Sequence, residues 1–227
     1  MASTPTAAPN VATGHTHSAH PPHLQHHFVT SAQQFDAAKM GMWLFLVTEI
    51  LLFSGMFVAY TVYRAWHPEV FDAASKLLDW RLGGLNTLVL LASSLTVAMG
   101  IHYAQQDNRR LLVTNLVITV LLAGVFMVVK YFEYTSKFEH GIFPGANYTS
   151  HDLTIPYAPQ FFSIYFIMTG IHGVHVLVGM VLISWLAIRA ARGHFTSAWY
   201  TPVELTGLYW HIVDIIWIFL FPLMYLI

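Results

Sequence analysis

The sequence has no cysteine and very little charge. The missing cysteine excludes disulfides, thiolate metal sites and thiol nucleophiles together. Charged residues make up 9% of the 227 residues, against roughly 25% in soluble domains. A shortfall of that size means that most of the surface does not meet water. The formal net charge is −1, which provides no attractive field for nucleic acid. The amino-terminal stretch has no basic opening followed by a short apolar core and a small-residue cleavage site, so a cleaved signal peptide is not expected. No internal repeat stands out, and no apolar block is broken near its middle.

Hydrophobic residues make up 56% of the chain and are gathered into long blocks. A membrane-spanning helix needs about 20 mostly apolar residues. Five blocks reach that length, at about 40–63, 85–103, 111–131, 161–188 and 203–227. The fold class expected is therefore all-α, a polytopic membrane bundle of five transmembrane helices over residues 33–227. Residues 1–32 are rich in Ala, Thr, Pro and His without periodicity and are expected to form a disordered tail. Between the third and fourth blocks lie Gly141, Pro144, Gly145, Asn147, Pro156 and Pro159, the composition of a loop. Trp66, Trp80, Tyr103, Tyr131, Trp199 and Tyr200 cluster at block ends, where amphipathic rings favour the headgroup layer.

An odd number of spans puts the termini on opposite sides. The basic residues divide evenly between the two sets of loops, so their distribution does not orient the chain. Arg109, Arg110, Arg189 and Arg192 sit at span ends and are expected to anchor helices or meet lipid phosphates.

Ionisable groups inside a span cost roughly 2.5–3.5 kcal/mol each on insertion scales. Glu49 falls about 14 Å into the first span and Asp214 about 17 Å into the fifth. His172 lies at a comparable depth in the fourth. His211 and Asp214 are three residues apart, on one helix face, where the imidazole is expected to donate to the carboxylate. His172 and His175 have the same spacing and are expected to make interhelical hydrogen bonds, with Gly170, Gly173 and Gly179 admitting a neighbouring helix closely. Glu49 has no base one turn away. It is expected to be either protonated and hydrogen-bonded within the bundle or solvated in an internal crevice. Lys130 and Glu133, one turn apart, suggest an ion pair at headgroup level. These spans hold too few histidines for a catalytic haem–copper centre or a membrane di-iron site, and no metal or haem site is expected on this chain. His15, His17, His20, His23, His26 and His27 make the tail responsive to pH near neutrality, with weak metal binding or proton collection as refinements.

Five segments, in order, resemble the subunit III family of haem–copper oxygen reductases, the cytochrome c oxidase subunit III family. The run GMWLFLVTEILLF from Gly41 to Phe53 resembles the helix that carries the family's membrane-embedded glutamate. LNTLVLLASS from Leu85 to Ser94 resembles the start of the next helix. GIHGVHV from Gly170 to Val176 resembles the glycine–histidine helix, HFTS from His194 to Ser197 the loop after it, and YWHIVDIIW from Tyr209 to Trp217 the final helix. The resemblance covers residues from about 36 to 227 and implies the short, five-helix prokaryotic form; the longest members have seven helices, and the first two have no counterpart here.

The resemblance implies a subunit with no catalytic centre, haem or copper of its own. The redox centres then belong to partner subunits I and II of a respiratory-chain oxidase that reduces oxygen and pumps protons. Cytochrome c donates to the complex and not to this chain. The resemblance further implies bound structural phospholipid, support of proton supply and of turnover stability, and a multi-pass place in the bacterial inner membrane with the N-terminus cytoplasmic. On that analogy Glu49 is the family's buried carboxylate, and Glu133, His211 and Asp214 match further polar positions. The missing helices would form one wall of the family's lipid cleft, which puts that cleft in doubt. Quinol oxidases and some nitric-oxide-reducing systems use similar third subunits, so the electron donor stays open. A stand-alone proton or metal transporter is a different class that midplane acids and histidines would also suit, and a membrane redox enzyme in its own right is another.

Overall fold

A computed structural model describes residues 23–144, 148–149 and 155–227. It contains α1 (Ser31–Trp66), α2 (Pro68–Ser75), α3 (Trp80–Gln105), α4 (Arg109–Glu139), α5 (Ala158–Ala191) and α6 (Thr201–Tyr225). All except α2 are long and apolar enough to cross a membrane, which makes this a multi-pass membrane protein. In lipid every backbone polar group must be satisfied within its own segment, and helices do this.

The starts of the helices follow their caps. The Thr30 hydroxyl accepts from the Gln33 amide, the Asp79 carboxylate from Arg81 and Leu82, and the Asn108 side chain from Leu111. Pro68, Pro159 and Pro202 occupy first turns, where a missing N–H loses nothing. The helices outrun the apolar blocks at most ends. α1 begins at Ser31, before the expected Met40, because capped polar turns extend it beyond the hydrocarbon. α4 runs on to Glu139, past the expected end at Tyr131, because its charged residues are held inside the bundle. α2 has no counterpart among the expected spans; it buries Val70, Phe71, Ala74 and Ser75 on one face.

Helices α3, α4, α5 and α6 close into a four-helix ring, each packed on its two neighbours, and α1 lies outside it against α6 and α5. Trp210, Trp217, Phe126, Phe161, Phe162 and Tyr165 fill the ring. Close approach depends on Gly179, where a Cβ would stand 2.7 Å from the Trp210 indole, and on Gly207, where one would stand 2.5 Å from Ile101. Gly170 and Gly173, by contrast, have nothing within 4 Å of an added Cβ and admit no helix.

α1 is fastened near both ends. Lys39 pairs with Glu204 at 2.9 Å, and the Tyr60 hydroxyl donates to the Leu223 carbonyl. The tail expected at 1–32 is shorter than that on its C-terminal side. His23 stacks on Trp199 with ring centroids 4.0 Å apart, and Gln34 donates to the His23 carbonyl, because Trp199 offers an aromatic face at that end of the bundle. His15, His17 and His20, and the expected disorder of 1–22, lie outside the described residues.

Candidate functional site

Glu49 and His175 are 126 positions apart in sequence, yet Glu49 Oε2 lies 2.7 Å from His175 Nε2. α1 brings the acid and α5 the base, where the two helices pack together. Their side chains are 15% and 18% exposed, so the pair is largely withdrawn from its surroundings. His175 Nδ1 lies 2.8 Å from the Ile171 carbonyl one turn earlier. A carbonyl oxygen can only accept, so Nδ1 carries a hydrogen. Nε2 is then either a lone pair taking a proton from a carboxylic acid or the N–H of an imidazolium facing a carboxylate. In both forms the contact holds one proton and the pair carries no net charge. The proton can reside on either side without movement of a heavy atom.

The surroundings hold this geometry. The Tyr209 hydroxyl donates to the His175 carbonyl at 3.0 Å, and the Phe53 ring stands edge-on to the imidazole at 5.3 Å. A groove of about 340 Å³ opens beside the pair, lined by Met42, Phe45, Val178, Leu182 and Tyr209. A second groove, of about 360 Å³, runs on the other flank of α1 between Ile50, Phe57, Ile212 and Phe219. Both are apolar.

A second polar centre lies towards the other end of the bundle. Glu133 Oε2 meets Lys130 at 2.8 Å, and Oε1 accepts from Lys137 at 3.1 Å, Tyr165 at 2.9 Å and Tyr225 at 2.6 Å. The Lys130 ammonium also lies 4.5 Å from the Trp217 ring centroid. The expected Lys130–Glu133 pair forms and belongs to a buried cluster joining α4, α5 and α6. It stays buried because the carboxylate meets four donors, two of them ammonium groups.

The third centre differs from expectation. His211 Nδ1 lies 2.7 Å from the Ser94 hydroxyl of α3, and Asp214 takes no hydrogen bond from it. Ser94, on the neighbouring helix, takes the place of the expected partner. Asp214 Oδ1 is buried without a partner among the described residues. His172 also departs from the expected interhelical hydrogen bond. It is fully buried between Phe126 and Trp217, at 5.7 and 5.2 Å, and neither ring nitrogen has a partner among the described residues. The residues that α4 and α6 turn towards it are aromatic, so it packs by its ring.

At the end of the bundle where Trp199 lies, the Arg189 guanidinium packs on the Trp185 ring at 4.8 Å. Arg110 and Arg192 are exposed. Arg109 runs alongside Gly193, which has φ +78°. Asp107, in the left-handed region at φ 56°, accepts from the Ser197 amide and hydroxyl at 2.5 and 2.6 Å. Those bonds hold its carboxyl below the usual aspartate range. Among the described residues no three His, Asp or Glu side chains converge as a metal ion would need.

Of the residues in these centres, Lys137 was readable one turn from Glu133. Ser94, Tyr165, Tyr209 and Tyr225 carried no signal, since each joins its centre only through helix packing.

Comparison with known proteins places these features in a family. The model of the family described as "Cytochrome c oxidase subunit III" matches residues 23–227. The chain is 31% identical over 196 residues to the cytochrome c oxidase subunit 3 of Thermostichus vulcanus, covering 85% of this chain and 88% of that one. It is 32% identical over 197 residues to the cytochrome c oxidase subunit 3 of Synechocystis sp., covering 85% and 76%. It is also 32% identical over 189 residues to a probable quinol oxidase subunit 3 of Staphylococcus saprophyticus, covering 83% and 88%.

Proposed function

The chain belongs to the cytochrome c oxidase subunit III family, a component of an oxidase complex, and from that premise we propose that it serves the complex as a lipid-holding, proton-supporting subunit with no redox centre of its own. The haems and copper belong to subunits I and II, and cytochrome c delivers electrons to them. This chain packs against subunit I in the bacterial inner membrane with its N-terminus cytoplasmic. Phospholipid chains occupy the apolar grooves that flank α1, and the basic side chains at helix ends meet the phosphates.

The observation that carries this reading is the Glu49–His175 pair beside its groove. An isolated acid at that depth would be costly, whereas this neutral pair is held at little cost and can still pass its proton between partners. It buffers one proton within the membrane and couples that proton to whatever fills the groove.

Glu49→Gln tests the reading in the intact purified complex. The amide can donate to His175 Nε2, so assembly and haem content stay at wild-type levels. The exchangeable proton is lost, so oxygen reduction slows under proton-limited conditions and inactivation during turnover is faster. Wild-type turnover, proton uptake and operating lifetime in the variant would refute the proton role.

A quinol-linked complex is a second reading, favoured by the similarity to the probable quinol oxidase subunit 3 at comparable identity. Metal analysis of the purified complex discriminates. A copper centre in the co-purified subunit II marks cytochrome c as donor, and its lack marks a quinol.

A further inference from the structure

Of the midplane histidines, His172 is fully buried and His175 is paired with Glu49. His211 differs. Its Nδ1 is engaged by Ser94 at 2.7 Å, its ring is partly exposed, and its Nε2 has no partner among the described residues. We infer that the α3–α6 face around His211 is where a membrane-spanning helix of a partner subunit docks, bringing a hydrogen-bonding group to His211 Nε2. The inference rests on membership of an oxidase complex and adds which face is used and what the partner offers.

Depth decides the kind of occupant. His211 is about 15 Å along a helix of about 37 Å, close to its centre. The hydrocarbon core is about 30 Å thick, so headgroups lie more than about 10 Å away in either direction. A lipid at this depth offers only acyl chain, which neither donates nor accepts. The surrounding face is apolar and exposed: Leu91 (43%), Leu95 (62%) and Ile218 (38%). A partner helix satisfies both requirements, covering the apolar rim and reaching the nitrogen with a hydroxyl, carboxyl or amide.

The lack of cysteine and the exposed positions make the test direct. A photo-crosslinking residue is placed at Leu91 or Ile218 on the proposed face, and at Leu121 or Val181 on α4 and α5, in cells that assemble the whole complex. The expected result is a crosslink from Leu91 and Ile218 to one membrane-spanning polypeptide, with the adduct mapped inside a span, and only lipid adducts from Leu121 and Val181. The reverse pattern, with the chain still co-purifying with haem-containing polypeptides, overturns the face while leaving membership intact. Loss of that co-purification would instead overturn membership and the docking face with it. His211→Phe is expected to lower the partner retained on the tagged chain roughly tenfold, the equivalent of one hydrogen bond, and His211→Gln to restore most of it. Equal amounts of each variant in the membrane show that it folds. Full retention by His211→Phe refutes the hydrogen bond. Modification of His211→Cys in the assembled complex by a membrane-impermeant thiol reagent would mean an aqueous crevice, and also refutes it.

Discussion

Glu49 and Glu133 are both withdrawn into the bundle, and the structure gives them opposite dependence on charge. Glu49 faces a single imidazole with one proton between them. Glu133 faces two ammonium groups and two phenols, all donors, and is useful only as an anion. Removal of Glu133 strands Lys130 and Lys137 inside the bundle. Glu133→Ala is expected to cost about 3–5 kcal/mol, the usual consequence of deleting one partner of a buried ion pair. Replacing all three charges, Lys130→Met with Glu133→Leu and Lys137→Met, is expected to cost much less, because the desolvation penalty leaves with the charges. Thermal unfolding of the purified complex in detergent checks both. A Glu133→Ala variant as stable as wild type would show that the cluster does not hold α4, α5 and α6 together.

The helices were legible in the sequence through their apolar cores, and their ends were not. A run of apolar residues reports the hydrocarbon layer, while a helix stops where its caps are. Thr30, Asp79 and Asn108 therefore mark starts that hydropathy does not see. α2 escaped notice because its eight residues are too few to show a period. Spacing along one helix pairs His211 with Asp214, but His211 bonds Ser94 of α3 instead. Glu49 was found as an anomaly, and its partner was not, because nothing local ties it to residue 175. At the turns, Asp107 joins the α3–α4 connection to the α5–α6 connection. Its carboxyl is held below its ordinary value of 3.8, so the tie contributes fully above that value. It weakens as pH falls below 3.8 and is lost once pH passes the lower value of the folded state. Hydrogen exchange at the Ser197 amide is expected to speed up over that acid range beyond the intrinsic rate, and Asp107→Asn to abolish the pH step while leaving the spans protected. A pH-independent excess rate in the wild type would exclude the carboxylate tie.

At the scale of the molecule the ring of α3, α4, α5 and α6 and the outlying α1 are held by different means. The ring is filled with aromatic side chains and crossed by Ser93–Trp210, Thr87–Trp217, Thr96–Thr119 and the Glu133 cluster. α1 buries only Leu46, Phe53 and Tyr60, has a groove on each flank, and is fastened by Lys39–Glu204, Glu49–His175 and Tyr60–Leu223. Among the described residues nothing fills the grooves between those fastenings, and on the proposed reading lipid chains complete the packing of α1 and not of the ring. Stripping lipid with detergent should therefore free α1 first. A cysteine at Leu46, which is 3% exposed on α1, is expected to become reactive to a thiol reagent on delipidation, and one at Leu116, 1% exposed within the ring, to stay protected. Phospholipid added back should restore protection at position 46. Lys39→Ala should lower the detergent concentration needed, since it leaves the Glu204 end of α1 unfastened. If both cysteines become reactive together, α1 and the ring are one cooperative unit and the grooves are not what separates them.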